Sequence, residues 1–153
     1  MYTWCHLWLG CVTQYAGADK YFCKAMDHLK YVEREQWKKG ITERVKISKA
    51  MFHLDTAHCI GKNDLDACME ICERAEDVLE DVDCNYLTEG DQGFYHSVQA
   101  KLLAGTPHRQ ADALSQAKWH AQTAESIYRH CGFHERRKEV NEFLTTLIKQ
   151  EHC

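Results

Sequence analysis

The sequence predicts an all-α protein: antiparallel helical hairpins stacked as a short right-handed α-solenoid, in a single domain over residues 1–153. Helix-forming residues dominate between the glycines, and the chain has one proline, which leaves a sheet-rich fold almost no turn chemistry. Gly17, Gly61 and Gly105 follow one another at intervals of 44 residues. Glycine commonly ends helices because it enters the left-handed conformation at little cost. Each of these glycines is therefore predicted to mark the bend of a hairpin.

The residues around these glycines support the repeat. Apolar side chains recur ten and two residues before each bend, as stacked helix pairs require: Leu7, Met51 and Tyr95, then Tyr15, Cys59 and Leu103. The predicted helices span residues 2–16, 19–38, 42–60, 64–82, 92–104, 109–131 and 134–150. They form three hairpins, at about 2–38, 42–82 and 92–131, and a C-terminal capping helix at about 134–150.

Cap and turn residues set the boundaries of these elements. Gly40 is predicted to separate the second helix from the third, and Asn63-Asp64 and Asp91 are natural N-caps. Thr106-Pro107 is predicted to open the sixth helix, because proline is tolerated at the first helical position. The segment 84–93 is the longest predicted loop. The capping helix carries one apolar stripe, formed by Val140, Phe143, Leu144, Leu147 and Ile148.

Small residues inside these helices resemble the tetratricopeptide repeat, whose paired helices approach closely. The resemblance covers most of the chain and rests on two segments and an N-terminal Leu9-Gly10 pair. The first segment is 50–57 with Gly61, Ala67, Cys68 and Ala75; the second is Ala113, Ala117, Ala121 and Ala124 with Ile127-Tyr128 and Gly132. The interval of 44 residues departs from the usual period of about 34 and falls in the range of HEAT-like helix pairs. A helical bundle without repeats is the alternative.

The resemblance implies a groove lined by the first helix of each pair, which would bind an extended or helical peptide of a partner protein. The 44-residue interval places Trp8, Phe52 and His96 in one row, with Lys49 and Thr56 one helical turn to either side of Phe52. These five residues are the predicted partner-binding site. The alternative is that the aromatic row packs in the core.

Charge is divided along the chain. Residues 20–49 contain nine Lys or Arg against four acids, and residues 64–83 contain nine acids against Arg74 alone. One interpretation is two solvated helix faces that attract each other; the other is a basic surface for an acidic partner or nucleic acid. The net charge of −4 argues against bulk nucleic-acid binding. A local phosphate patch could still be formed by Lys38, Lys39, Arg44 and Lys46.

Nine cysteines, an odd number without a visible signal peptide, indicate reduced thiols and a cytoplasmic or nuclear protein. Cys68 and Cys72 stand one helical turn apart, with His53, His58 and Cys59 on the neighbouring helix, and His130-Cys131 with His134 forms a weaker group. Neither group has paired CxxC spacing, so no metal site is predicted.

No motif for catalysis is present: the chain lacks a glycine-rich phosphate loop, a GxSxG elbow and an HExxH sequence. We therefore expect no enzyme activity and no cofactor. No apolar stretch is long enough to cross a membrane. The expected partner is a protein or peptide, with self-association through the N-terminal hairpin as a further expectation.

Overall fold

The described parts of the chain are mainly helical. A computed structural model describes residues 18–31, 33–60, 63–106 and 112–151, and in these ranges it contains six α-helices, one short 3-10 helix and no strand. The α-helices are α1 (Ala18–Leu29), α2 (Glu35–Ile60), α3 (Leu65–Glu80), α4 (Glu89–Gly105), α5 (Ala113–Cys131) and α6 (His134–Glu151), and the 3-10 helix is Cys84–Tyr86. The all-α prediction is confirmed. The predicted helix 2–16 and the bends at Gly17 and Gly61 lie outside the described residues.

The predicted boundary at Gly40 is wrong. Helix α2 runs from Glu35 to Ile60 without interruption, and the break falls earlier, where Lys30 and Tyr31 form tight turns with i−3 carbonyls after α1. A Cβ atom on residue 40 would lie 3.0 Å from the backbone oxygen of Tyr86. Glycine at this position therefore permits close approach of the chain after α3, a role that local sequence does not distinguish from a helix break.

The predicted loop 84–93 and the predicted cap at Asp91 also need correction. Helix α4 starts at Glu89, with Thr88 as its N-cap. The Thr88 hydroxyl accepts a hydrogen bond from the Asp91 amide at 3.2 Å and donates one to Oδ2 of Asp91 at 2.8 Å. Asp91 thus lies in the first turn, where a carboxylate is favoured by the helix dipole.

The other observed helix boundaries agree with the predicted boundaries to different degrees. Asp64 is the N-cap of α3 as predicted, accepting from the Ala67 amide at 3.0 Å. Thr106 is the C-cap of α4, and its amide and hydroxyl both donate to the Leu102 carbonyl. The predicted helix start at Pro107 lies outside the described residues. Helix α5 ends at Cys131, and Gly132, whose φ is 73°, is its C-cap. Helix α6 agrees closely with the predicted capping helix. No described helix is long and apolar enough to cross a membrane.

The chain forms two compact units, Met1–Leu87 and Thr88–Cys153. In the first, α2 packs against both α1 and α3, and Phe22, Ala25, Leu29 and Val45 form a buried cluster. Helix α3 buries one stripe at helical spacing, made of Cys68, Cys72, Ala75 and Leu79. The small residues in this stripe allow close helix packing.

The second unit consists of α4, α5 and α6, each packed against the next along the chain. Its core contains Ala100 of α4, the α5 residues Ala117, Ala121, Ala124 and Tyr128, and Val140 and Leu147 of α6. An alanine stripe on α5 without any exposed surface allows the neighbouring backbone to approach. The stacking of hairpins into a solenoid stays a prediction.

Candidate partner-binding site

The predicted site residues on α2 contribute to local packing. The Phe52 ring is half-buried against the α1–α2 cluster, with its centroid 6.1 Å from that of Phe22. The Thr56 hydroxyl donates to the Phe52 carbonyl at 2.9 Å, within the same helix, and Lys49 is half-buried. These contacts favour the core-packing alternative for Phe52. Trp8 lies outside the described residues.

His96 lies in a cluster of four rings from two helices of the second unit. Tyr95 and His96 come from α4, and Trp119 and His120 come from α5. The Nδ1 atoms of the two histidines are 2.8 Å apart. We call Tyr95, His96, Trp119 and His120 the aromatic–histidine cluster.

The alanine stripe of α5 explains why these rings meet. Ala117 and Ala121 precede and follow the Trp119-His120 pair and are fully buried, so that part of α5 lies close to its neighbour. Trp119 nevertheless stays 58% exposed. Its ring lies edge-on to both imidazoles, at 5.6 Å from His96 and 4.8 Å from His120, with interplanar angles of 79°.

Burial favours the neutral form of both histidines in the cluster. Burial lowers the pKa of His96, and burial followed by repulsion from His96 lowers the pKa of His120 to about 4. One neutral imidazole can donate its Nδ1 proton to the Nδ1 lone pair of the other. Next to them, the Tyr95 hydroxyl accepts a hydrogen bond from Nε2 of Gln99 at 3.0 Å. The cluster is therefore an uncharged, hydrogen-bonded surface around one exposed tryptophan.

The basic and acidic segments, whose mutual attraction was one interpretation of the sequence, meet at a network of ion pairs around Lys46. Nζ of Lys46 lies 3.1 Å from Oε1 of Glu43 and 2.9 Å from Oδ2 of Asp81, and Oε2 of Glu43 accepts from the Asp83 amide at 2.8 Å. Burial opposes the charge of Lys46, but its hydrogen bonds to Asp81 and Glu43 raise its pKa overall. Lys46 of the basic segment therefore forms an intramolecular contact with the acidic segment.

The cysteines and histidines considered for zinc do not converge. Cys68 and Cys72 are buried in the helix packing, whereas His58 and Cys59 are exposed. Within the ranges that the structure describes, no three His, Cys, Asp or Glu side chains are grouped so that they could hold a metal ion.

Sequence reasoning found His96 but missed Trp119 and His120. The sequence signal for these two residues was an adjacent Trp-His pair between two alanines of a buried stripe, which places a large ring at the edge of a helix interface.

Comparison of the chain with protein-family models, curated proteins and solved structures gave no significant match. The tetratricopeptide-like repeat accordingly stays a prediction.

Proposed function

We propose that this chain is a protein-interaction module of the scaffold or adaptor kind, which binds a peptide or helix of a partner through the aromatic–histidine cluster. The observation that carries the proposal is the exposure of Trp119, at 58%, on a ring that two imidazoles hold in place. Tryptophan is enriched among the residues that dominate binding energy at protein interfaces. A ring that is already positioned loses little conformational freedom on binding.

The chemistry of the cluster favours a partner with an apolar anchor. Neutral imidazoles contribute hydrogen bonding without net charge, and the Tyr95 and Trp119 rings contribute apolar area. His96 belongs to the row expected from the tetratricopeptide resemblance, so this proposal keeps one predicted contact. Lys49 and Thr56 would contribute only if a partner also covers α2. No catalytic step and no cofactor are part of this function.

We also infer a reducing compartment, cytoplasmic or nuclear. The six cysteines that the structure describes are all free thiols, and free, partly buried thiols are common where glutathione keeps cysteine reduced.

The test is capture of partners from nuclease-treated native lysate by the tagged chain, at low salt and at about 300 mM salt. Trp119→Ala is expected to weaken the binding of a salt-resistant partner by about 2 kcal/mol or more, which is about a thirtyfold increase in Kd. Trp37→Ala is the matched control, because Trp37 is 65% exposed and lies on α2 in the other unit. Equal retention by wild type and Trp119→Ala would contradict the proposal.

A second candidate function uses the basic segment 20–49 to bind an acidic protein or nucleic acid. The supporting observation is that exposed cations lie against aromatic rings there: Arg34 is 6.0 Å from the Trp37 ring, and Lys24 is 5.9 Å from that of Tyr21. Interleaved cations and rings suit phosphate and base contacts. In the same capture experiment, this function predicts loss of the partner with salt, with nuclease or in Trp37→Ala, while Trp119→Ala has no effect.

Self-association through the N-terminal hairpin remains a separate proposal. It predicts a mass that rises with protein concentration in light scattering. A monomer mass that does not change with concentration would contradict it.

A further inference from the structure

Helix α5 is the middle helix of the second unit and packs against both α4 and α6. Its inward side is the buried alanine stripe. On the opposite side, six residues at helical spacing form what we call the neutral face of α5: Ser115, Gln116, Trp119, Gln122, Thr123 and Ser126. At about 100° per residue, all of them lie within about 60° of Trp119 around the helix axis. Thr123 is half-buried and the others are exposed.

The neutral face of α5 contains no charged side chain. The Lys and Glu residues of the same stretch, Lys118 and Glu125, are half-buried and lie about 100–120° to one side. The exposed side of α3 is different, because its exposed residues other than Leu65 are all charged and mostly acidic. Two copies of the α3 surface would repel each other, whereas two copies of the neutral face bring no like charges together.

The neutral face is also complementary to itself. If a second copy of α5 lies antiparallel across it with the two Trp119 rings in contact, residues equally far before and after position 119 meet each other. Gln116 then meets Gln122 of the second copy, and Ser115 meets Thr123 of the second copy. Amides and hydroxyls carry both a donor and an acceptor, so each of these contacts can be a hydrogen bond.

The two ends of α5 carry opposite charge. Asp112 is the N-cap residue, and Arg129 and His130 lie in the last turn. Antiparallel pairing brings the N-terminal end of each α5 next to the C-terminal end of the other, so that opposite ends of the helix dipoles also lie side by side. Charge at the rim of the neutral face therefore favours an antiparallel over a parallel arrangement of two copies.

We propose that this chain forms a homodimer through the neutral face, in which two copies of α5 cross antiparallel at Trp119. The inference rests on the proposed function, because it uses the same tryptophan and identifies the partner helix as α5 of a second copy. Trp119 suits the centre of the contact, since it is 58% exposed and lies edge-on to His96 and His120. A contact made by one helix from each copy buries less than about 1,200 Å², which is typical of weak, reversible association.

The test is sedimentation equilibrium of the full chain in reducing buffer, from about 5 to about 500 µM, a range suited to weak association. The mass of the wild type is expected to rise toward that of a dimer. An acidic variant, Gln116→Glu with Gln122→Glu, and a basic variant, Gln116→Lys with Gln122→Lys, each place like charges opposite one another across the dimer. Each variant alone is expected to stay monomeric. An equal mixture of the two is expected to dimerise, because unlike charges then face each other.

The matched control is Gln36→Glu with Gln150→Glu, which adds the same charge at two exposed glutamines on α2 and α6. This control is expected to dimerise like the wild type. Trp119→Ala is expected to raise the dissociation constant of the dimer at least about tenfold, as loss of a central tryptophan does at other interfaces. Circular dichroism checks that each variant keeps its helical content.

A wild type that stays monomeric at every concentration would overturn the homodimer. Self-association that persists in both the acidic and the basic variant would also overturn it, because association through the N-terminal hairpin is insensitive to these substitutions. A mixture of the two variants that stays monomeric would contradict the antiparallel contact. Capture from lysate separates this inference from the proposed function: a Trp119-dependent partner bound by a chain that is monomeric when pure would contradict the homodimer and leave partner binding in place.

Discussion

Gly93 shows at the scale of one residue how tightly the second unit is packed. A Cβ atom there would lie 2.7 Å from Cε1 of Tyr128 and 3.1 Å from Cγ2 of Ile127. Tyr128 is buried in the core, so its ring cannot swing into solvent. The missing methyl group therefore sets how closely α4 and α5 approach.

We expect Gly93→Ala to lower the free energy of unfolding by about 1–2 kcal/mol. Overpacking a core costs about 1–3 kcal/mol, and the gain in helix propensity offsets at most about 1 kcal/mol of it. Urea denaturation measures the difference. Gly105→Ala is the matched control at the end of the same helix, because a Cβ atom there meets nothing within 4 Å. It should be neutral or stabilising, and equal effects of the two substitutions would contradict the packing argument.

The paired histidines make stability depend on pH. The folded pKa of His120 is about 4 against an ordinary value of 6.5, and that of His96 is lowered as well. The unfolded chain therefore binds protons more readily. This contribution to stability is fully present above about pH 6.5 and is lost as the pH falls toward 4.

We expect urea denaturation to give a free energy of unfolding that is lower at pH 5 than at pH 7.5, with a contribution on the order of 1 kcal/mol from this pair. This value allows for screening by the solvent that reaches the half-buried rings. In His120→Gln the loss should be smaller, because the amide does not titrate. In His130→Gln it should match the wild type. A wild-type loss that His120→Gln leaves unchanged would assign the pH dependence to other groups.

At the scale of helices, the Lys46 network connects α2 to the end of α3. The Glu43 carboxylate is almost fully buried, at 9% side-chain exposure, and its charge is balanced by Lys46 and by the Asp83 amide. A buried carboxylate that loses its cation is left incompletely compensated. The network therefore stabilises the turn after α3 more than an exposed ion pair would.

Lys46→Met keeps the aliphatic stem and removes the charge, so we expect a loss of about 1–3 kcal/mol in the free energy of unfolding. Lys30→Met is the matched control, because Lys30 and Asp27 pair across one turn at 72% and 66% exposure. Such exposed pairs contribute little to stability, because water and salt screen them. Chemical denaturation measures the free energy of unfolding of both variants. Similar losses of stability in the two would show that burial of Glu43 does not strengthen the network.

At the scale of the molecule, the second unit has a core of its own. Helix α6 contributes Val140 and Leu147 to the same cluster as the alanine stripe of α5. It is also joined to α5 by Arg137, whose Nε lies 2.7 Å from Oε1 of Glu125. Domains of about 55–65 residues can fold alone when their core is complete.

We therefore expect a fragment of residues 88–153 to be helical by circular dichroism and to unfold cooperatively on heating. A fragment of residues 88–133, which lacks α6, should show a weaker helical signal and a broad transition, because Tyr128 and Ala124 lose their cover. If the longer fragment melts without cooperativity, the compact unit depends on the rest of the chain.

The sequence predicted features that depend on neighbouring residues in the chain. Helix propensity gave the all-α class, the side-chain oxygen of Asp64 gave the start of α3, and an apolar stripe gave α6 almost to the residue. Local patterns failed where a glycine had two possible roles. Gly40 lies inside α2 and Gly93 inside α4, and in both cases the reason is a contact with a distant segment.

The candidate sites divide in the same way. The sequence singled out His96, but its partner His120 lies 24 residues away and no spacing motif connects them. Likewise, nothing local pairs Lys46 with Asp81, 35 residues further along. By itself, the sequence determined which segments are helical and which helix faces are apolar. Only the tertiary structure decided which side chains meet, because contacts between helices depend on how closely the backbones approach and not on the distance along the chain.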